Sequence, residues 1–316
     1  MHQMPQSHRR IRMAWRLSRA AAPWQGMRRL AVGLICLAAA AAADAAGHGA
    51  RVHGLWVWQG PALLKTPEAR EQLRDFCSAS GINEVYVSVL SQGRIADAEA
   101  LSALVGQLHE SHVRVEALLS STDADEPGAH RDTFLDHVGA VVKFNQQHPR
   151  SRLDGLHLDV EPQQRPENKG SGNLRFVAGL LETFRGVRAL AEPAGLTVNA
   201  DIQQKLLKAP LADRRALLQS LPRLTLMLYE VSSASEGSSA EAKAQKLRTV
   251  SHAYLETAYA DLEQRDLAIM IIGLRTADYG VLLPQMLGTL DDANGSNPHY
   301  GGWARHSYND TLRRPP

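Results

Sequence analysis

The run Leu153-Asp154-Gly155-Leu156-His157-Leu158-Asp159-Val160-Glu161-Pro162 alternates apolar and polar residues. Side chains alternate across a strand, so Leu156, Leu158 and Val160 share one face and His157, Asp159 and Glu161 the other. Two acids above a histidine are costly to bury unless they are hydrogen-bonded or used. The choice is between a structural hydrogen-bond cluster and acid–base chemistry. Glu161, last of the three, is the natural general acid, because a place beside an apolar wall raises a carboxyl's pKa toward working pH. Asp159 stands about 6.6–7 Å below it along the strand. His157 is placed to hydrogen-bond Asp159 from below and, when cationic, to favour its ionised form.

The elements around this run decide where it points. Strand candidates are Gly54–Trp58, Glu84–Leu90, Val113–Leu119, Leu153–Glu161, Leu196–Asp201, Leu224–Tyr229, Leu267–Gly273 and Gly301–His306. Between them lie stretches with apolar residues at helical spacing, among them Pro67–Ser80, Ala98–Glu110, Thr133–Gln147, Leu174–Ala191, Leu211–Leu221 and Glu241–Gln264. Strand then helix, repeated eight times, predicts a single α/β domain, a (β/α)8 barrel. A doubly wound nucleotide-binding sheet is the competing layout, but Trp58-Gln59-Gly60-Pro61 after the first strand is no phosphate loop. In a barrel the C-terminal strand ends carry the site. Mouth-facing candidates beside the fourth strand are Asn199, Asp201, Glu230 and Arg275, with Asp201 and Arg275 open to ligand binding or to a surface salt bridge. Val231–Ala240, with five serines, follows the sixth strand as a lid or a solvated loop. Thr311–Pro316 reads as a frayed tail.

The fourth-strand run resembles the Asp-Gly-x-Asp-x-Asp-x-Glu motif of glycoside hydrolase family 18, the chitinase-like barrels. Asp154, Gly155, Asp159 and Glu161 match, and His157 replaces the middle acid. Met227-Leu228-Tyr229-Glu230 is similar to the family's Met-x-Tyr-Asp, and Gly301-Gly302 to the Gly-Gly that starts its eighth strand. The resemblance implies a glycosidase of N-acetylhexosamine polymers. Two acids on one strand do not readily flank a sugar ring from opposite faces, and the family instead uses the substrate's own acetamido oxygen as nucleophile. Glu161 would then protonate the leaving oxygen, Asp159 would orient the acetamido N–H, and Tyr229 would hold its oxygen. His157, Met227, Glu230, Asn199, Asp201 and Arg275 would line the sugar site. The family's usual eighth-strand tryptophan is replaced by His306. Trp56, Trp58, Trp303 and Tyr308 are candidate stacking faces for sugar C–H surfaces, or core residues.

Three rivals stand beside this reading. Val160-Glu161-Pro162 is faintly similar to barrels with a fourth-strand Asn-Glu-Pro acid, which pair it with a seventh-strand glutamate; Gly273-Leu274-Arg275-Thr276 holds none. A metal-dependent deacetylase would need His157, Asp159 and a second histidine such as His306, with no spaced motif in support. A non-catalytic glycan-binding barrel fits the changes at His157 and His306, although Glu161 is intact.

Composition narrows the remaining choices. The chain has 316 residues, 35 basic and 33 acidic, and 44% hydrophobic residues, which excludes disordered and collagen-like chains. Residues 1–46 carry seven arginines against Asp44 alone; the remainder holds 28 basic and 32 acidic residues, which removes the electrostatic case for nucleic acid. Arg28-Arg29, the apolar run Leu30–Ala43 and the Ala-x-Ala sites ending at Ala43 and Ala45 form an export signal. As helix that run rises about 21 Å, short of a ~30 Å hydrocarbon core. The expectation is a leader over 1–46, a barrel over 47–316, a periplasmic or secreted protein with no membrane span after cleavage, a polysaccharide or oligosaccharide substrate, and no cofactor or metal. Cleavage removes Cys36 and leaves Cys77, in an apolar helical pattern, as a buried hydrophobe without a disulfide partner.

Overall fold

The computed structural model describes residues 51–169, 174–229, 231, 239–263 and 266–313. The leader, Glu230 and positions 232–238 of the serine-rich patch lie outside the described residues. Eight parallel strands close into a barrel: β1 (Val52–Val57), β2 (Glu84–Ser88), β3 (Arg114–Ser121), β4 (Gly155–Val160), β5 (Thr197–Gln203), β6 (Arg223–Met227), β7 (Ile269–Arg275) and β8 (Tyr300–His306). Each pairs with its successor and β8 closes onto β1, so the fold is a (β/α)8 barrel, not an open doubly wound sheet.

The helices follow in alternation: α1 (Pro67–Ser80), α2 (Ala98–Glu110), α3 (Ala129–Gln147), α4 (Val177–Ala191), α5 (Leu211–Ser220), α6 (Ala240–Tyr259), α7 (Leu283–Asn294) and α8 (Tyr308–Arg313). Local chemistry sets their ends. Thr66 accepts a hydrogen bond from the Ala69 N–H at the start of α1, Pro67 opens it, and Gly81 closes it at φ +64°. Helix α7 was not among the helical stretches read from sequence; its Pro284 looks like a breaker but occupies the first turn, where no N–H is needed. Thr311 belongs to α8 and its hydroxyl donates to the Ser307 carbonyl, so the tail is helical that far.

Strand alternation sorts the core into two parts. Outward residues such as Leu55, Val85, Val115, Leu156, Leu158, Val198, Leu224 and Ile272 join the helices in one large apolar cluster. Inside the barrel a small cluster remains: Val52, Trp56, Tyr86, Leu118, Ile271 and Ala304, with Trp58 against it. Every other inward place on β2 to β6 carries mostly polar chemistry, which is what the site is made from. Asp154 stands at the foot of β4, where its carboxylate accepts from the Val115 N–H at 2.7 Å and meets the His109 ring at 2.8 Å. It ties β4 to β3 and α2. Gly302 has φ +124°, and a Cβ there would lie 2.1 Å from the Val52 carbonyl oxygen, so the Gly301-Gly302 pair is a packing requirement where β8 meets β1.

Candidate active site

Three tiers of inward side chains climb the barrel from the strands' N-terminal ends. At the floor, Arg223 of β6 donates to both oxygens of Glu84 (2.7 and 3.0 Å) and to Glu116 at 2.9 Å. Arg114 reaches Glu84 at 3.2 Å, and Asn199 donates to Glu116 at 2.6 Å. Both glutamates are buried. Burial alone would push the Glu116 carboxyl up, but Arg223 and His157 outweigh it and hold it below its ordinary value. Glu84 goes the other way, raised by burial and by the Glu116 charge.

The middle tier centres on His157, itself fully buried. Its Nε2 lies 2.8 Å from Asp201 Oδ1, and its Nδ1 faces Glu116 Oε2 at 3.4 Å. The Tyr86 ring stacks on the imidazole with centroids 3.6 Å apart, and Trp56 meets it edge-on at 5.8 Å. Trp56 Nε1 donates to the second oxygen of Asp201 at 3.0 Å. Burial opposes a charge on His157, yet Asp201 and Glu116 together raise its pKa to about 9, so the ring is cationic at neutral pH.

The mouth holds Asp159 of β4 and Glu161, one residue past its end. Asp159 is buried, and its Oδ1 has no hydrogen-bond partner among the described residues. Burial, then the charges of Asp201 and Glu161, push its carboxyl well above the ordinary range. Glu161 is half-buried at the barrel rim, its N–H tied to the Ser121 carbonyl at 2.8 Å. Three amides reach its carboxylate: Gln163 at 3.0 Å, Gln203 at 3.2 Å, and Gln164. Burial nonetheless raises its pKa, aided by the Asp201 charge. Glu161, Gln203, Gln204, Lys205, Met227 and Tyr229 line one cavity of about 320 Å³. Tyr229 has its ring 5.5 Å from that of His306 and 5.6 Å from the Arg275 guanidinium. His306 Nε2 accepts from Trp58 Nε1 at 2.9 Å, which fits a neutral ring, and burial lowers its pKa.

Glu161, Met227 and Tyr229 thus share a cavity wall, Asp159 lies two residues below Glu161 on β4, and the bonded Trp58–His306 pair stands beside Tyr229. Other expected residues are elsewhere. Trp56 is fully buried beneath the mouth and presents no stacking face; its indole occupies the space that Gly273 leaves open, where a Cβ would come within 2.8 Å of it. Trp303 points outward from β8, stacks on His53 at 4.2 Å and donates to Asp291 of α7. Tyr308 is buried against Phe76 of α1. Asp201 and Arg275 form no surface salt bridge: Asp201 is buried, and Arg275 pairs with Asp278 at 2.6 Å. Asn199 serves the floor and not the rim. His157 bonds Asp201, not Asp159, so its charge does not produce an ionised Asp159.

Sequence reading missed the amides around Glu161, as well as Tyr86 and Glu116. Gln203 was within reach, since it continues the inward alternation Asn199, Asp201, Gln203. Glu116 and Tyr86 were obscured because only the pairing of β2, β3 and β4 brings them against His157. Among the described residues no group of three or more His, Cys, Asp or Glu side chains is arranged to hold a metal ion. None of the described helices is long and apolar enough to cross a membrane.

No family model and no curated protein sequence matches this chain. Solved structures do. A family 18 chitinase from Pseudoalteromonas aurantia aligns with a TM-score of 0.54 at 11% identity, over 84% of this chain and 96% of that one. The glycoside hydrolase domain of PgaB (BpsB) from Bordetella bronchiseptica aligns at 0.52 and 12%, over 84% and 96%. A chitinase from Bacteroides thetaiotaomicron gives 0.52 and 12%, over 84% and 93%. At these identities the likeness establishes a shared barrel fold.

Proposed function

We propose that this chain is an exported glycoside hydrolase acting on an N-acetylhexosamine-containing polysaccharide, with Glu161 as general acid and the substrate's acetamido group as nucleophile. The observation that carries the reading is the vertical pair at the barrel mouth: Glu161 on the cavity wall with Tyr229, and beneath it a buried Asp159 with an oxygen that no described side chain satisfies. A buried polar atom without a partner is costly, and an acetamido N–H of a bound sugar supplies one. The barrel likeness to solved chitinases agrees with this substrate class.

The chemistry then runs in two halves. As the C1–O bond breaks, the Glu161 proton passes to the leaving oxygen, and the acetamido oxygen bonds to C1 to give a cyclic cation with its N–H on Asp159. The Tyr229 hydroxyl donates to the acetamido oxygen and aligns it. Water next adds to C1 while Glu161 takes its proton, the ring reopens, and configuration is retained. Burial keeps the proton on Glu161 for the first half; the amides of Gln163, Gln164 and Gln203 hold the carboxylate for the second.

One observation favours a glycan-binding barrel without turnover: both oxygens of Glu161 are already occupied by those amides. Incubating the protein with N-acetylhexosamine polymers and following new reducing ends decides between the two. Turnover establishes the hydrolase; saturable binding with no reducing ends across the panel establishes the binder. Export, with the leader 1–46 removed from a barrel over 47–316, is tested by mass spectrometry of the exported chain. A mature N-terminus between Ala43 and Gly47 supports it, and one retaining Arg28-Arg29 overturns it.

A further inference from the structure

Tyr229 lies beyond the part of β6 that the sheet holds. The last register pair between β5 and β6 is Gln203 with Met227, and the strand itself ends at Met227. On the β7 side the Leu228 N–H still reaches the Gly273 carbonyl at 2.9 Å. On the β5 side the backbone turns away into a 3-10 turn, Gln204–Lys208, and the ladder stops. The Gln204 side chain stands in for it. Its amide nitrogen donates to the Tyr229 carbonyl at 3.3 Å and to the Met227 carbonyl at 3.5 Å. Its amide oxygen accepts from the Tyr254 hydroxyl of α6 at 2.6 Å. Carbonyl oxygens only accept, so one orientation of the amide makes all three contacts, and the Tyr254 bond locks it. The phenol held in this way feels the acids of the site. Burial and the charges of Asp201, Asp159 and Glu161 raise the Tyr229 pKa well above its ordinary value, so the hydroxyl keeps its proton for donation.

We propose that Gln204, locked by Tyr254, is the positioning residue for Tyr229: it replaces the ladder that β5 and β6 lack at this level and fixes where the Tyr229 hydroxyl points. Gln204, Met227 and Tyr229 line the same cavity as Glu161, so a shift at Tyr229 is a shift relative to the proton donor. Both N–H groups of the Gln204 amide and its oxygen are engaged within the protein, so Gln204 acts through Tyr229 and not on the sugar. Helix α6 thereby reaches the site at one remove, bracing the end of β6 through a side chain from the end of β5. The catalytic half of this role rests on the glycosidase reading above; the positioning of Tyr229 does not.

The chain holds seven tyrosines, so labelling with 3-fluorotyrosine gives a small set of ¹⁹F signals, that of Tyr229 being identified by its loss in Tyr229→Phe. In the protein without substrate, Gln204→Met keeps the side chain's length and removes its donors and acceptor. It should move the Tyr229 signal and leave in place those of Tyr300, at the foot of β8, and Tyr308, against α1. Tyr254→Phe, which only unlocks the amide, should move the Tyr229 signal too. A Tyr229 signal unmoved in Gln204→Met overturns the proposal, whether or not the protein hydrolyses any glycan. If Gln204→Met does not fold, the Tyr254→Phe signal decides in the same way. On an N-acetylhexosamine polymer, Gln204→Met should lower kcat by about 10- to 10²-fold with KM little changed, the scale of a reacting group misplaced by about 1 Å. Added to Tyr229→Phe, the same substitution should cost nothing further, because the group it positions is gone. Losses that multiply in the double variant would show a role independent of Tyr229 and overturn the proposal. Absence of turnover on every polymer removes the glycosidase reading alone and leaves the ¹⁹F signals to decide the positioning.

Discussion

Glu161 and Asp159 sit two residues apart at the end of β4, yet their surroundings give them different work. Glu161 meets three amides and the cavity, whereas Asp159 meets the charge of Asp201 and, among the described residues, no donor on Oδ1. Replacing Glu161 by glutamine keeps its size and removes the transferable proton. Turnover should fall by about 10²–10⁴ while glycan affinity holds, measured by reducing-end release and calorimetry. Unchanged turnover would end the glycosidase reading. The raised pKa of Glu161 also has a signature in pH. The limb of kcat/KM that reports loss of its proton should lie above the ordinary carboxylate range, and should disappear with the glutamine variant.

Strands β7 and β8 hold the site open by what they lack. Gly273 leaves room for the Trp56 ring, and Trp56 in turn holds Asp201. Gly273→Ala should shift that indole and cost about 1–3 kcal/mol in denaturant unfolding, the usual range for overpacking a filled core. Gly302→Ala is a different case. It places a Cβ against the Val52 backbone at a φ that side-chain residues rarely adopt, so strain of about 1–3 kcal/mol adds to a clash with backbone that cannot move aside. It should destabilise the barrel more than Gly273→Ala does; equal midpoints for the two variants would contradict this account of the β8 start.

Across the whole barrel, pH acts through the buried charges. His157 has a folded pKa of about 9 against an ordinary 6.5, so its contribution is fully present below about 6.5 and is lost as pH rises through 9. Asp159, also raised in the fold, acts in the same direction from its unfolded value upward, since the folded state holds its proton longer. Glu116, lowered in the fold, works oppositely: its contribution is present above the unfolded pKa and lost on acidification. Unfolding free energies should therefore fall between pH 6.5 and 9, and the part due to His157 should vanish in His157→Gln; a flat wild-type profile would contradict the buried cation. Cys77 is fully buried and its thiol is pushed up to about 12, so it should resist thiol reagents in the native state and react only on unfolding.

Much of this was legible in the sequence because it depends on local order. Alternating apolar residues in strands and three-to-four spacing in helices specify a (β/α)8 barrel wherever they repeat, and the same alternation places His157, Asp159 and Glu161 on its inner face. Tyr229 and Met227 follow from register two strands on. What each inward side chain touches is another matter, since that depends on closing the sheet. Glu116, His157 and Asp201 are 41 and 44 residues apart along the chain and meet only because β3, β4 and β5 pair side by side in the barrel wall. Trp56 and Trp58 share a strand face, but curvature buries the first and leaves the second at the rim. Trp303 lies one position off the inward phase of β8 after the irregularity at Tyr300–Gly302, and so faces α7. The kinds of groups available to the site were set by local sequence. Which of them carries charge, which keeps its proton and which meets a sugar was decided by long-range contacts in a low-dielectric interior.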